Sequence, residues 1–278
     1  MLGKLRAIFN NIGSSRDSNP VAHPRVKEYL KSLREEQAAR GILPSQAVPL
    51  FFAKFTKLID FLRGLIRDNT PLATVNMYLL VRDTVFFIFD FFTGDHASDL
   101  GRLLANEVFR LKDQKGFLLK LPLTKTTRGS ATSPFILEPF EDAVVCPVAW
   151  IGYYLSVCNL LHIVLDGGYF CRATDRGRAV SQKLFLGSAV NNRLWKHLTG
   201  AKLNGGETPH SFRLGLSNTL NMLGCSHDDI SRYLGWRSGG MARHYTRMSN
   251  TAGSFPVPAS LSLCQTPVSH PSNLQCIV

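Results

Sequence analysis

The run from Met77 to Phe92, MYLLVRDTVFFIFDFF, constrains the fold more than any other stretch. It is apolar around the whole circumference of a helix, and such a helix is stable only when other elements cover it on every side. Arg82, Asp83 and Asp90 interrupt it, so it reads as a buried helix of a globular core and not as a membrane span. Upstream, Phe51, Phe52, Phe55, Leu58, Ile59, Leu62, Leu65 and Ile66 recur at helical intervals and predict an amphipathic helix. Strand signals are few, at Gly116 to Leu123 and Pro134 to Glu138. The expectation is a mainly α protein with a small antiparallel β-sheet, in the α+β class.

The flanks differ from this middle part. Residues 1 to 20 are polar after a short basic start and read as mobile, and Pro24 to Arg40 reads as a charged helix ended by Gly41. Residues 251 to 278 are rich in Ser, Pro and Thr without a period, which predicts disorder. The boundaries expected are therefore 1–46, 47–250 and 251–278. No internal repeat is found.

Among 278 residues the net charge is +12. Lys and Arg are spread along the chain, as suits a protein that tracks a phosphate backbone and releases its counterions. Six cysteines occur with no Cys-x-x-Cys pair and no secretory leader, so they read as reduced intracellular thiols and the metal reading is weak. Gly205-Gly206 is a loop turn, since no helix-opening Gly-Lys follows to cradle a phosphate.

The chemistry is concentrated between Thr208 and Met248. Apolar residues from Leu214 to Leu223 keep a mostly helical spacing as far as Gly224, which puts His210 and Arg213 one turn apart near a helix start, where both can face one phosphate. Ser226 before Asp228 and Asp229 predicts an N-capped helix ending at Gly235, with Trp236 at its end. A turn at Ser238-Gly239-Gly240 then leads to Tyr245. The planar fork of Arg213 binds two phosphate oxygens and keeps its charge as a pentacoordinate transition state forms. Trp236 offers only an N–H donor, so it can bond a phosphate oxygen without competing as a nucleophile. Tyr245 supplies a phenol, which nearby cations would have to activate. Attack on a phosphodiester would give a phosphotyrosyl bond that conserves the energy of the broken linkage, a scheme that calls for no cofactor and no metal.

His210-x-x-Arg213, Trp236 and Tyr245 resemble, in order and in spacing, the C-terminal motif of the tyrosine recombinases, the phage-integrase-like family. Phe92-Thr-Gly-Asp-His96-Ala-Ser-Asp-Leu100 is similar to the segment that holds the family's first catalytic arginine, and Leu121-Pro-Leu-Thr-Lys125-Thr-Thr-Arg128 to the β-hairpin that carries its catalytic lysine. In wording the chain resembles the recombinases of DIRS- or Crypton-type eukaryotic mobile elements. The resemblance runs from about Val48 to Met248 and implies a tyrosine recombinase catalytic-domain fold, with residues 1–46 ending in a remnant of a helical core-binding domain. It implies DNA strand cleavage and rejoining through a covalent 3′-phosphotyrosyl intermediate, on double-stranded DNA, with self-association on that DNA, no membrane, and a nuclear location if the source is eukaryotic, otherwise a cytoplasmic one. Lys125 would be the general acid for the leaving 5′ hydroxyl, with Lys120 and Arg128 as alternatives.

His96 departs from the pattern, because an imidazole cannot grip two phosphate oxygens and is mostly neutral at pH 7. Arg102, one turn beyond Asp99, either fills in for the missing arginine or pairs with Asp99. Three functions follow as alternatives: an active recombinase, a DNA-binding descendant without cleavage, and an interaction protein for RNA or acidic partners.

Overall fold

The computed structural model describes residues 19–40, 47–68, 74–112, 115–121, 134–236, 239–246 and 274–276. The chain divides into two compact units, Met1–Gln46 and Ala47–Val278. The first holds a 3₁₀ turn at Pro20–Ala22 and helix α1, Pro24–Ala39. Proline at the start of α1 fits a position where the missing N–H costs nothing. Its surface carries i,i+4 ion pairs, Lys31 with Glu35 and Glu36 with Arg40.

The second unit is built around α3, Val75–Thr93, in which every residue from Val81 onward is buried. Thr74 caps its start, accepting the N–H of Met77, and Gly94 closes its end at a φ of 59°, a conformation glycine takes without the penalty of a Cβ. Helices α2 (Phe52–Asp68), α5 (Pro147–Leu160) and α7 (His210–Met222) pack against it. Phe55 of α2 stacks on Phe91 with ring centroids 4.2 Å apart, and Phe87 stacks on Phe212 of α7.

The charges that interrupt α3 are handled in two ways. Arg82 donates to Asp83 Oδ1 at 2.6 Å and to the Arg172 carbonyl at 2.9 Å. Asp83 Oδ2 lies 2.8 Å from His197 Nε2 and 2.5 Å from Arg193 Nε, so this buried carboxylate has three cationic or hydrogen-bonding partners. Asp90 is different: wholly buried, neither of its oxygens meets a hydrogen-bond partner among the described residues.

Among the described residues one sheet has the antiparallel order β3-β2-β1-β6, with β1 at Val108–Leu111, β2 at Phe117–Leu119, β3 at Phe135–Leu137 and β6 at Leu274–Cys276. A second is the hairpin of β4 (Arg172–Asp175) and β5 (Ala179–Leu184). A one-turn helix, α4 (Ala97–Leu100), follows α3; α6 (Gly187–Gly200), α8 (His227–Tyr233) and α9 (Gly239–Tyr245) complete the unit. None of the described helices is long and apolar enough to cross a membrane.

Several elements differ from the sequence expectation. Strand β6 pairs with the edge of β1, a partner that composition cannot anticipate. The β4–β5 hairpin pairs Asp175 with Ala179 and turns through the three residues between them, of which Arg176 and Gly177 are at positive φ. Arginine there gives no turn signal. Cys146, Cys158 and Cys171 are buried free thiols, but Cys225 is disulfide-bonded. That corrects the reading of six reduced cysteines, because bonding needs Cα atoms within about 7 Å, a proximity that only folding creates.

Candidate functional site

Helix α7 opens with a reciprocal pair, the N–H of Thr208 to Ser211 Oγ at 2.9 Å and the N–H of Ser211 to the Thr208 carbonyl at 2.8 Å. It is pressed so tightly against the incoming chain that a Cβ on Gly215 would stand 1.8 Å from the Leu50 carbonyl oxygen. This fixes the helix, and with it His210 and Arg213 one turn apart.

Arg213 is buried and reaches two other segments. Its Nη1 donates to the Gly94 carbonyl at 2.5 Å and its Nη2 to the Leu234 carbonyl at 2.7 Å. Both acceptors sit at helix ends, just past α3 and α8, where carbonyls lack a partner in their own helix. The guanidinium carbon lies 5.0 Å from the ring centre of Trp236, a cation–π distance. Trp236 is set by its own N–H, which donates to the Ser231 carbonyl at 2.8 Å after Gly235 has turned the chain at a φ of 64°.

His96 precedes α4. Its ring stacks on that of His210 with centroids 6.0 Å apart and planes 11° from parallel. The backbone N–H of His96 donates to Asp95 Oδ1 at 2.8 Å, and the N–H of Asp95 to Thr93 Oγ1 at 3.2 Å. The structure thus brings His96, His210, Arg213 and Trp236 into one row. Arg102 is exposed and lies 3.7 Å from Asp99, the surface pairing of the two alternatives above.

Burial dominates the electrostatics. It lowers the pKa of His210, and the neighbouring His96 and Arg213 lower it further. It pushes the Asp95 carboxyl up to about 6, against the pull of the His96 N–H. Asp90 is held well above the usual carboxylate range by burial and by Asp95. The sequence marks Asp90 only as a charge that interrupts the apolar run, and nothing in it ties either acid to the site. Among the described residues no group of three or more His, Cys, Asp or Glu could hold a metal ion.

Helix α9 ends at Tyr245. Ala242 is fully buried beneath it, and Thr246 Oγ1, which donates to the Ala242 carbonyl at 2.9 Å, lies 3.0 Å from His227 Nε2 at the start of α8. The end of α9 is therefore tied to α8. Lys125 and the side chain of Tyr245 lie outside the described residues.

Solved structures share this architecture. The XerH site-specific recombinase bound to palindromic difH substrate, in a post-cleavage complex, matches over 73% of this chain with a TM-score of 0.52 and 14% identity. The pre-cleavage complex of XerH with difH matches over 76% at 0.52 and 15%. XerA recombinase matches over 90% at 0.50 and 15%. The fold is that of the tyrosine recombinase catalytic domain. The chain covers 50% and 53% of the two XerH chains and 78% of the XerA chain. No protein-family model and no curated protein matches the sequence. On the tyrosine recombinase fold, the row of His96, His210, Arg213 and Trp236 joins the end of α3, the start of α7 and the end of α8, three points that the core holds rigidly.

Proposed function

We propose that this chain cleaves and rejoins strands of double-stranded DNA, with Tyr245 as nucleophile and a covalent 3′-phosphotyrosyl intermediate. The observation that carries the reading is the convergence of His96, His210, Arg213 and Trp236. Arg213 is oriented by two carbonyls, so its fork meets a phosphate with little reorganisation, as stabilisation of a transition state demands. The tie between Thr246 and His227 holds the helix that delivers Tyr245. In this reading Lys125 protonates the leaving 5′ hydroxyl. The net charge of +12 suits a duplex partner, and self-association on DNA, a DIRS- or Crypton-like mobile-element origin and a nuclear location belong to the same proposal.

A second reading is favoured by one residue. His96 stands where the resemblance puts an arginine, and losing a catalytic arginine can cost about 10³ to 10⁵ in phosphoryl-transfer rate. A DNA-binding descendant without cleavage follows if the loss is uncompensated.

A nicked suicide duplex separates the two. The active enzyme gives a covalent protein–DNA adduct that Tyr245→Phe abolishes while binding stays within a few-fold, since one hydroxyl is lost and the phosphate contacts remain. An adduct that survives Tyr245→Phe removes Tyr245 from the mechanism; binding with no adduct favours the inactive descendant. For either, log affinity falls with log salt by about 0.9 for each phosphate neutralised.

A further inference from the structure

The carboxyl of Asp95 stands beside the candidate site, and the chemistry above gives it no task. Its Oδ1 holds the N–H of His96, and the peptide carbonyl just before it, from Gly94, holds Arg213. These bonds fix Asp95 in the turn that carries one side chain of the site and against the residue that anchors another. It is 8% exposed. Asp90, five residues earlier, is wholly buried with both oxygens lacking a hydrogen bond among the described residues. Two carboxyls therefore share a poorly solvated region beside one guanidinium.

The charged and titratable groups around Asp95 come from each element packed there. Helix α3 supplies Asp90, α4 and its turn supply His96 and Asp99, with Arg102 paired to Asp99, and α7 supplies His210 and Arg213. Helix α8 brings Tyr233, a phenol that donates to the Phe92 carbonyl and that burial keeps neutral.

We propose that the site formed by His96, His210 and Arg213 takes up its phosphate together with a proton, which settles on the carboxyl of Asp95. The inference rests on reading that site as a phosphate clamp. An anion in front of Arg213 brings negative charge towards Asp95, and in a region of low polarity two like charges raise each other's cost. Protonating Asp95 removes that repulsion and leaves the field of Arg213 to the bound anion. The group is poised for this, since burial already holds it near 6 and a nearby anion pushes a carboxyl further up. Asp90, kept neutral by burial and by Asp95, does not compensate Arg213. By linkage the effect is reciprocal: protons strengthen anion binding, and the anion raises the proton affinity of Asp95.

Sulfate tests this, because it stays a dianion across the working pH range. Binding to the full chain is followed by the imidazole NMR signals of His96 and His210. Asp95→Asn keeps the Oδ1 acceptor for the His96 N–H and removes only the charge. It should strengthen sulfate binding about fivefold or more at pH 8 and leave it within about twofold at pH 5, where Asp95 is already protonated. In the unsubstituted protein, the carbon-13 titration of the Asp95 carboxyl should move to higher pH when sulfate saturates the site. No gain at pH 8, an equal gain at pH 5, no sulfate binding at either pH, or an unmoved carboxyl titration overturns the proposal, and the carboxyl titration decides alone if Asp95→Asn does not fold. None of these readouts needs strand cleavage, so an absent DNA adduct would count against the recombinase reading while the sulfate linkage stood or fell separately.

Discussion

The imidazole rings of His96 and His210 lie nearly parallel, 6.0 Å between centroids and 11° between their planes. Burial lowers the pKa of His210, and the neighbouring His96 and Arg213 lower it further. The row therefore holds one permanent cation, Arg213, beside an imidazole at position 210 whose charged form is disfavoured. An imidazole at position 96 carries neither the fixed charge nor the fork of a guanidinium.

Restoring that charge should restore rate. His96→Arg is expected to raise cleavage of a suicide duplex at least about tenfold, a conservative share of the 10³ to 10⁵ such an arginine can contribute. Single-turnover cleavage by the two proteins measures it; equal, robust rates would show that His96 is no handicap.

Asp83 stabilises the core as an anion. Its pKa is lowered by the charge of Arg82 and by His197 and Arg193, which outweigh burial. A depressed acid contributes stability above its unfolded pKa of about 4 and loses it as pH falls. Asp83→Asn should cost about 3 to 5 kcal/mol at pH 7, as when one partner of a buried pair is removed, and only moderately less at pH 3, because the folded protein keeps Asp83 charged well below the usual carboxylate range. Urea unfolding at both pH values reads the difference.

Asp90 has the opposite sign. Its raised pKa means that the folded state keeps a proton the unfolded state releases, so its contribution declines as pH rises above about 4. Asp90→Asn should stabilise the protein by about 1 kcal/mol or more at pH 8 and do little at pH 4. The same shift in unfolding free energy at both pH values would refute this.

Gly215 has no room for a methyl group, because its Cβ would meet the Leu50 carbonyl oxygen at 1.8 Å and backbone cannot swing aside like a side chain. Gly215→Ala should cost about 3 kcal/mol, at the upper end for overpacking. It should also displace Leu50, whose N–H donates to the Ser211 carbonyl. Thermal unfolding and hydrogen exchange at Leu50 check both effects.

Thr246→Val removes the hydroxyl that meets His227. A loss of about 1 kcal/mol in the local stability of α9 is expected, the usual worth of one such hydrogen bond. Exchange of the α9 amides should quicken accordingly, and Thr246→Ser should restore the protection.

The sequence by itself determined what depends on near neighbours. The apolar circumference of α3, the stripe of α2, Ser226 capping α8 and the one-turn offset of His210 and Arg213 all arise from contacts within about a turn. Helix α6 could have been read the same way, from Val190, Leu194 and Leu198, but its many polar residues masked the stripe. The tertiary structure alone decided which distant groups meet. That His96 faces His210, that Arg213 ends on the carbonyls of Gly94 and Leu234, that Asp83 finds Arg193 and His197 while Asp90 finds no hydrogen bond among the described residues, and that residues 274 to 276 extend the sheet all depend on how the core presses these elements together. Such pairings bring together chain segments far apart in sequence, and no local period records the packing that holds them in contact.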